Sequence, residues 1–314
     1  MKALVAHDYG PLEQLAIADL DRPAPGPGQL LLRVSAASVN PFDLKLLSGA
    51  MKQHMPLRFP YVPGMDVAGT VAEVSEGVTT FSVGDEVFGM LRETPGSLAE
   101  YAIANAESTL VARRPAGLEP VRAAAVPEVG LTALTMAHAA GVQQGESVLV
   151  VGATGGVGTF LVQLAAKAGA RVIACARPEH ADYVRSLGAI DTIDHSSQDV
   201  VEEARRRCPG GVDVLFDVVN LGPALVQSAG AVRDGGRVVS ALFGPEEAAY
   251  GRGLKVSNVF LAAQPGQLYE LGSRAADGDL RVEVSRTYAF DEAAQALIDL
   301  SGTHKRGKLV VTVS

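Results

Sequence analysis

The residue types and spacings with the clearest chemical use lie in the run Val148-Leu-Val-Val-Gly-Ala-Thr-Gly-Gly-Val-Gly158. An apolar, strand-like segment enters a glycine-rich turn and an amphipathic, helix-like segment leaves it. A dinucleotide-binding fingerprint requires that setting. Against the G-x-G-x-x-G spacing the chain reads Ala153-x-Gly155-x-x-Gly158, with Gly152 and Gly156 adding backbone freedom. Gly155 lets the main chain approach a diphosphate, and Gly158 lets the helix pack closely on the sheet. The helix start then offers unpaired N–H groups and a partial positive charge to the anion. An alanine replaces the first glycine of the strict fingerprint. A ligand-free tight turn is the plainer alternative, and the surrounding alternation of strands and helices favours the dinucleotide.

The next strand carries a second chemical signal. NAD-preferring units place Asp or Glu about 20 residues beyond the glycine loop, on the ribose hydroxyls. Here the strand expected over Arg171–Cys175 ends in Ala176-Arg177, and Glu179 follows Pro178 as a first-turn helix residue. A guanidinium suits a 2′-phosphate. The expected cofactor is NADPH, against the plainer reading of Arg177 as a solvated surface charge.

The elements that would hold these groups come in two styles. Strands are expected at Gln29–Val34, Asp66–Val74, Asp85–Phe88 and Ala99–Ile103, separated by turn formers such as Pro25-Gly-Pro-Gly28 and Val83-Gly-Asp85. Such close spacing suggests a barrel-like or sandwich unit. From about Pro120 the pattern changes. A long helix over Val121–Ala140 leads to strand Ser147–Val151, helix Val157–Ala168, strand Arg171–Cys175 and helix Glu179–Leu187. A short strand near Thr192-Ile193, helix Gln198–Arg207, strand Val212–Phe216, helix Pro223–Val232 and strand Arg237–Leu242 follow. This alternation implies βαβ units and an α/β fold with a doubly wound parallel sheet. The tail adds helices around Gln267–Ala276 and Asp291–Ser301 and a closing strand Leu309–Val313.

Bulk properties narrow the function class. A length of 314 residues exceeds one usual core, so two domains are expected. With 47% hydrophobic and 20% charged residues the composition is that of a globular protein. A net charge of −8 argues against a nucleic-acid partner. No apolar run approaches a bilayer span, and Met1-Lys-Ala-Leu-Val5 opens on a strand-like pattern without a signal-peptide core, so a cytoplasmic protein with no membrane partner is expected. Two cysteines, Cys175 and Cys208, are too few for a disulfide framework or a cysteine-rich metal site. Cys175 lies in an apolar run and reads as a packed core thiol.

Several separate segments in order give the chain a family likeness. They are Ser38-Val-Asn-Pro-Phe-Asp-Leu-Lys45, Pro63-Gly-Met-Asp-Val-Ala-Gly69, Val83-Gly-Asp-Glu-Val-Phe-Gly89, Pro127-Glu-Val-Gly-Leu-Thr-Ala133, the Gly152–Gly158 loop and His304-Lys-Arg-Gly-Lys308. The sequence resembles the zinc-free, quinone oxidoreductase-like branch of the medium-chain dehydrogenase/reductase superfamily over almost its whole length. The resemblance implies a discontinuous GroES-like catalytic domain, 1–121 completed by 263–314, with a Rossmann domain over 122–262 and the cofactor between the two. Alcohol dehydrogenases of that superfamily hold a catalytic zinc with Cys, His and Cys. Here the first ligand position falls at Asn40, and the second motif reads Gly64-Met65-Asp66. No metal is expected. Without a Lewis acid, hydride delivery to a quinone or an α,β-unsaturated carbonyl is favoured over alcohol oxidation.

The same resemblance assigns individual residues. Thr132, Thr154, Gly155, Gly156, Val157, Arg177, His195, Leu242, Phe243, His304, Lys305 and Arg306 are expected at the cofactor, and Asn40, Asp43 and Lys45 at the catalytic centre. Lys308 is expected to anchor the closing strand. A solvated basic turn is the alternative for residues 304–306. Asp43 and Lys45 are equally expected to pair or to cap the short helix near Pro41. Met51 stands where many quinone reductases carry a tyrosine, which removes a proton donor and turns the expectation toward a bulky or apolar enone. Competing expectations are an enoyl reductase or redox-neutral tailoring enzyme, and a non-catalytic NADPH-binding protein. A homodimer is expected, with Leu254–Leu261 as its edge strand.

Overall fold

Runs of consecutive apolar, buried residues build the first strand and the longest one. β1 (Lys2–Val5) and β2 (Ala16–Asp19) form an antiparallel pair. The longest strand, β3 (Gln29–Val39), buries Leu30, Leu31, Leu32, Val34, Ala36, Ala37 and Val39. It runs into α1 (Pro41–Leu47), where Pro41 at the first helical position supplies a fixed φ and lacks only an N–H that would have gone unpaired. Next come β4 (Asp66–Val74), β5 (Glu86–Met90), β6 (Tyr101–Asn105), β7 (Val111–Arg113) and α2 (Pro120–Ala124). The computed structural model describes residues 1–92, 95–242, 244–302 and 306–313.

The helix expected over Val121–Ala140 is in fact two. α2 stops before Ala125-Val126, and α3 (Pro127–Ala140) restarts at a proline. The ring of Pro127 disfavours a helical residue before it and removes the N–H that would have continued the turn.

The second unit is a six-stranded parallel sheet. Its strands are β8 (Ser147–Val151), β9 (Arg171–Cys175), β10 (Asp191–Ile193), β11 (Val212–Asp217), β12 (Val232–Ser240) and β13 (Lys255–Asn258), in spatial order 10-9-8-11-12-13. Helices α4 (Gly156–Lys167), α5 (Ala181–Ser186), α6 (Val200–Arg207) and α7 (Gly222–Ser228) connect them. Every residue of β8 is buried, as a strand covered on both faces requires. The order turns around at β8, with β9 on one side and β11 on the other.

The tail returns to the first unit with α8 (Gln267–Ala276), β14 (Val284–Ala289), α9 (Ala293–Ser301) and β15 (Lys308–Thr312). β15 pairs antiparallel with β3 and parallel with β14, giving the sheet order 14-15-3-4-5-7 with β6 also on β3. β14 was not expected from the sequence, because three of its six residues in succession, Ser285, Arg286 and Thr287, are exposed. Contacts divide the chain into residues 1–128 with 263–314, and residues 129–262. The first boundary follows Glu128 rather than Val121 because α2 packs on β3 and β4.

Candidate functional site

In the second unit, parallel strands place every inter-strand loop that follows a strand's C-terminal end along one edge of the sheet. Four expected groups lie there. The loop after β8 turns at Gly152, whose φ of 85° an L side chain rarely adopts. Gly155 is extended (φ −76°, ψ 175°) at the N-cap of α4, with its N–H on the Gly152 carbonyl at 3.1 Å. Gly156 and Val157 form the first turn, and Thr154 is buried beside them. A Cβ on Gly158 would lie 2.0 Å from the Gly152 carbonyl oxygen, so only glycine lets α4 start this close to the strand. The unpaired N–H groups of that first turn suit a diphosphate.

Arg177 follows β9 and His195 follows β10, both exposed, and the pairing of Cys175 with Ile193 sets them at adjacent strand ends. Leu242 follows β12, with its N–H on Ser240 Oγ at 3.0 Å. Thr132 is buried within α3. Sequence reading missed the turn after β11. There the buried Asp217 accepts from the N–H groups of Val219 and Asn220 at 3.0 and 2.9 Å, presenting Val219 against Gly152. An acid at the end of the strand next to β8 was the available signal. Phe243, His304 and Lys305 lie outside the described residues. Arg306 pairs with Glu283 at 2.6 Å within the first unit. Burial, foremost, pushes the Cys175 thiol up to about 12, in keeping with a core residue.

In the first unit, sheet register gathers a buried polar cluster at one end of β3. Ser38 lies opposite Asp66 at the start of β4, and Val39 lies opposite Leu309 near the start of β15. Asp66 Oδ2 accepts from Ser38 Oγ at 2.8 Å, Asn40 Nδ2 at 2.9 Å and Lys308 Nζ at 3.4 Å. Its Oδ1 accepts the N–H of Glu128 at 3.0 Å. Lys308 Nζ also donates to the Asn40 side-chain oxygen and, at 3.0 Å, to the Val39 carbonyl. Asp43 accepts from the N–H groups of Asn40 (2.8 Å) and Gly64 (3.2 Å), so it does cap α1.

Asn40 and Asp43 therefore stand together as expected, while Lys45 is exposed on α1 and is not paired with Asp43. Lys308 is more than a strand anchor: it is the buried cation of the cluster, 5% exposed. Sequence reading also missed Asp66 and Glu128 as members. Burial is the main force raising the carboxyls of Asp43 and Glu128 to about 7 each, with the Lys308 charge opposing it. Burial, then the Asp43 charge, raises the Tyr61 phenol to about 12.

The chain matches the family described as alcohol dehydrogenase GroES-like domain over residues 26–115, and that described as zinc-binding dehydrogenase over residues 187–311. It is 32% identical to the NADPH-dependent alkenal/one oxidoreductase, chloroplastic, of Arabidopsis thaliana, over 99% of this chain and 79% of that protein. It is 36% identical to the chloroplast envelope quinone oxidoreductase homolog of the same plant, over 67% of this chain; that match spans only 65% of the relative. The solved quinone oxidoreductase of Coxiella burnetii superposes with a TM-score of 0.89 at 30% identity, covering 100% of this chain and 99% of that one. The architecture is thus a GroES-like domain joined to a Rossmann domain.

The donors of the buried cluster do not fit a zinc ion. They are an amide and the carboxyls of Asp66 and Asp43, already occupied by N–H, O–H and ammonium donors, beside the Glu128 carboxyl, and the Lys308 charge would repel a cation. Among the described residues no group of three or more His, Cys, Asp or Glu is placed to hold a metal, and no helix is long and apolar enough to cross a membrane.

Proposed function

The chain belongs to the medium-chain dehydrogenase/reductase superfamily, and from that membership we propose an NADPH-dependent reductase of quinones or α,β-unsaturated carbonyls that works without a metal. The observation that carries this reading is the Lys308 ammonium lodged among Asn40, Val39 and Asp66. A fixed organic cation stands among the polar groups of the catalytic unit, and alcohol oxidation through a Lewis acid has no ligand set there. Reduction of an activated acceptor needs orientation, a hydride and a proton.

The first-turn N–H groups of Gly156 and Val157 would hold the diphosphate, with Gly155 letting the main chain approach it. The Arg177 guanidinium, exposed and with no side-chain hydrogen bond or ion pair among the described residues, would hold the 2′-phosphate. When bound, the reduced nicotinamide supplies the hydride. Relatives named as an NADPH-dependent alkenal/one oxidoreductase and a quinone oxidoreductase support both the cofactor and the acceptor class.

The test follows near-ultraviolet absorbance of NADPH and NADH with a panel of quinones, alkenals and enoyl thioesters, on metal-free protein. Turnover of an alkenal or quinone with NADPH is expected. Saturable binding without turnover of any acceptor would replace this reading with a non-catalytic one. We also propose a homodimer through β13, the open edge of the parallel sheet, next to which Phe260 is 68% exposed. A solution mass equal to one chain of 32.6 kDa would remove that part.

A further inference from the structure

Gly152 is where the parts of the glycine loop meet. Its carbonyl accepts the Gly155 N–H at 3.1 Å, and the same oxygen would stand 2.0 Å from a Cβ on Gly158. Its own α-carbon faces the turn after β11: a Cβ there would lie 2.7 Å from Val219 Cγ2 and 2.8 Å from Val218 Cγ2. The two valines therefore fill the space that the glycine leaves open. Displacing them frees Gly152 to move, and with it the oxygen against which α4 begins.

Asp217 holds those valines in place. It ends β11 beside Val151 at the end of β8, and the Val218 N–H extends that pairing to the Val151 carbonyl at 3.2 Å. Its fully buried side chain then closes the turn. Oδ1 accepts the N–H groups of Val219 and Asn220, and Oδ2 accepts Asn220 Nδ2 at 2.9 Å. Asn220 Nδ2 also donates to Ser228 Oγ at 2.8 Å, which ties the turn to the last residue of α7. Val219 itself is 54% exposed, so packing fixes it only in part. Three donors on one buried acid supply the rest of the constraint.

We propose that Asp217 is a positioning residue for the pyridine nucleotide: through Val218 and Val219 it sets the place of Gly152, and so the aim of the Gly156 and Val157 N–H groups at the diphosphate. The assignment rests on the reading above that the glycine loop is the diphosphate site. No atom of Asp217 needs to touch the nucleotide, and its effect falls on the diphosphate that NADPH and NADH share. Losing it leaves the Val219 and Asn220 N–H groups without an acceptor, and the turn, the valines and the loop shift together. Arg177, by contrast, acts on only one of the two nucleotides.

The test compares Asp217→Ala, Asp217→Asn and Val219→Ala. Asp217→Ala is expected to raise Kd for NADPH and for NADH by the same factor, about 10–100-fold. An asparagine oxygen can still accept both backbone N–H groups, so Asp217→Asn should recover most of the loss. Val219→Ala should weaken both nucleotides. The double variant of Asp217→Ala with Val219→Ala should lose no more than the larger single loss, since the two act in series. In nucleotide-free protein, the amide NMR signals of Gly152, Gly155 and Gly156 should move in Asp217→Ala and return in Asp217→Asn. A folded Asp217→Ala with wild-type affinity, or with its loop signals in place, overturns the proposal, as does a loss confined to NADPH. Losses that add in the double variant overturn it too. Should Asp217→Ala not fold, Val219→Ala decides: unchanged loop signals or unchanged affinity overturns the proposal. Wild type that binds neither nucleotide saturably defeats the loop reading, and the proposal with it. Failure of the proposal alone is told apart, because Gly158→Ala then still weakens binding.

Discussion

Lys308 Nζ donates to the side-chain oxygen of Asn40, joining the first residue of β15 to the N-cap of α1 across 268 positions of sequence. The same ammonium reaches Asp66 and the Val39 carbonyl. One lysine thus neutralises and aligns the groups on which three strands converge.

Removing that lysine leaves the acids around it uncompensated. Lys308→Met should destabilise the protein by about 3–5 kcal/mol, the usual result of breaking a buried charged network on one side. Urea unfolding near pH 7 measures it. A loss below about 1 kcal/mol would mean that the cluster is looser than the distances indicate.

Stability should fall as pH rises from about 4 to about 7. Asp43 and Glu128 have folded values near 7 against ordinary values of 3.8 and 4.5, so in that window the folded chain binds more protons than the unfolded one. The stabilisation is complete below the ordinary values and lost by the time pH passes 7. Each group contributes at most about 1.4 kcal/mol per pH unit. Glu128→Gln should flatten part of the slope and raise stability at pH 8. Denaturant midpoints at pH 5, 6, 7 and 8 check this, and parallel curves for the two proteins would refute it.

The glycine-loop edge of the parallel sheet was legible in the sequence because its signals are local. Gly152 to Gly158 state their strand–turn–helix setting within seven consecutive residues, and Arg177 needs only one strand boundary to be placed. The acid–lysine cluster was not legible in that way. Ser38, Asp66, Glu128 and Lys308 meet only through the pairings of β3 with β4 and β15, which no spacing along the chain encodes. Lys308 looked like an anchor since its neighbours Leu309, Val310 and Val311 are plain core strand residues. The expected helix runs through Pro127, whose ring breaks it; Ala123–Val126 are buried, and α2 packs on β3 and β4.

Gly158→Ala tests the glycine loop. The added methyl would meet the Gly152 carbonyl at 2.0 Å and must displace either the loop or α4. A loss of about 1–3 kcal/mol is expected from the forced shift. Affinity for NADPH should fall more than tenfold, read by nucleotide fluorescence. Unchanged affinity would separate this loop from cofactor binding.

Arg177→Ala tests cofactor choice. Losing a charge-assisted contact of about 1.5–3 kcal/mol should raise KM for NADPH by about 10–100-fold and leave KM for NADH unaltered. Steady-state assays with both nucleotides decide. An equal effect on the two would place the guanidinium elsewhere.

The strand that carries Lys308 is synthesised after the whole of the second unit, although it pairs with a strand made near the start. On a ribosome, residues 129–262 emerge as one contiguous stretch and can complete their sheet while β3 still waits for its neighbour. At about 5–20 residues per second the delay lasts from roughly 15 seconds to a minute. Throughout it Asp66 lacks its cation, so the nascent catalytic unit depends on late capture of β15 to close its edge. Stalled or prematurely ended translation would therefore yield a finished parallel-sheet unit and an open, aggregation-prone sheet in the other.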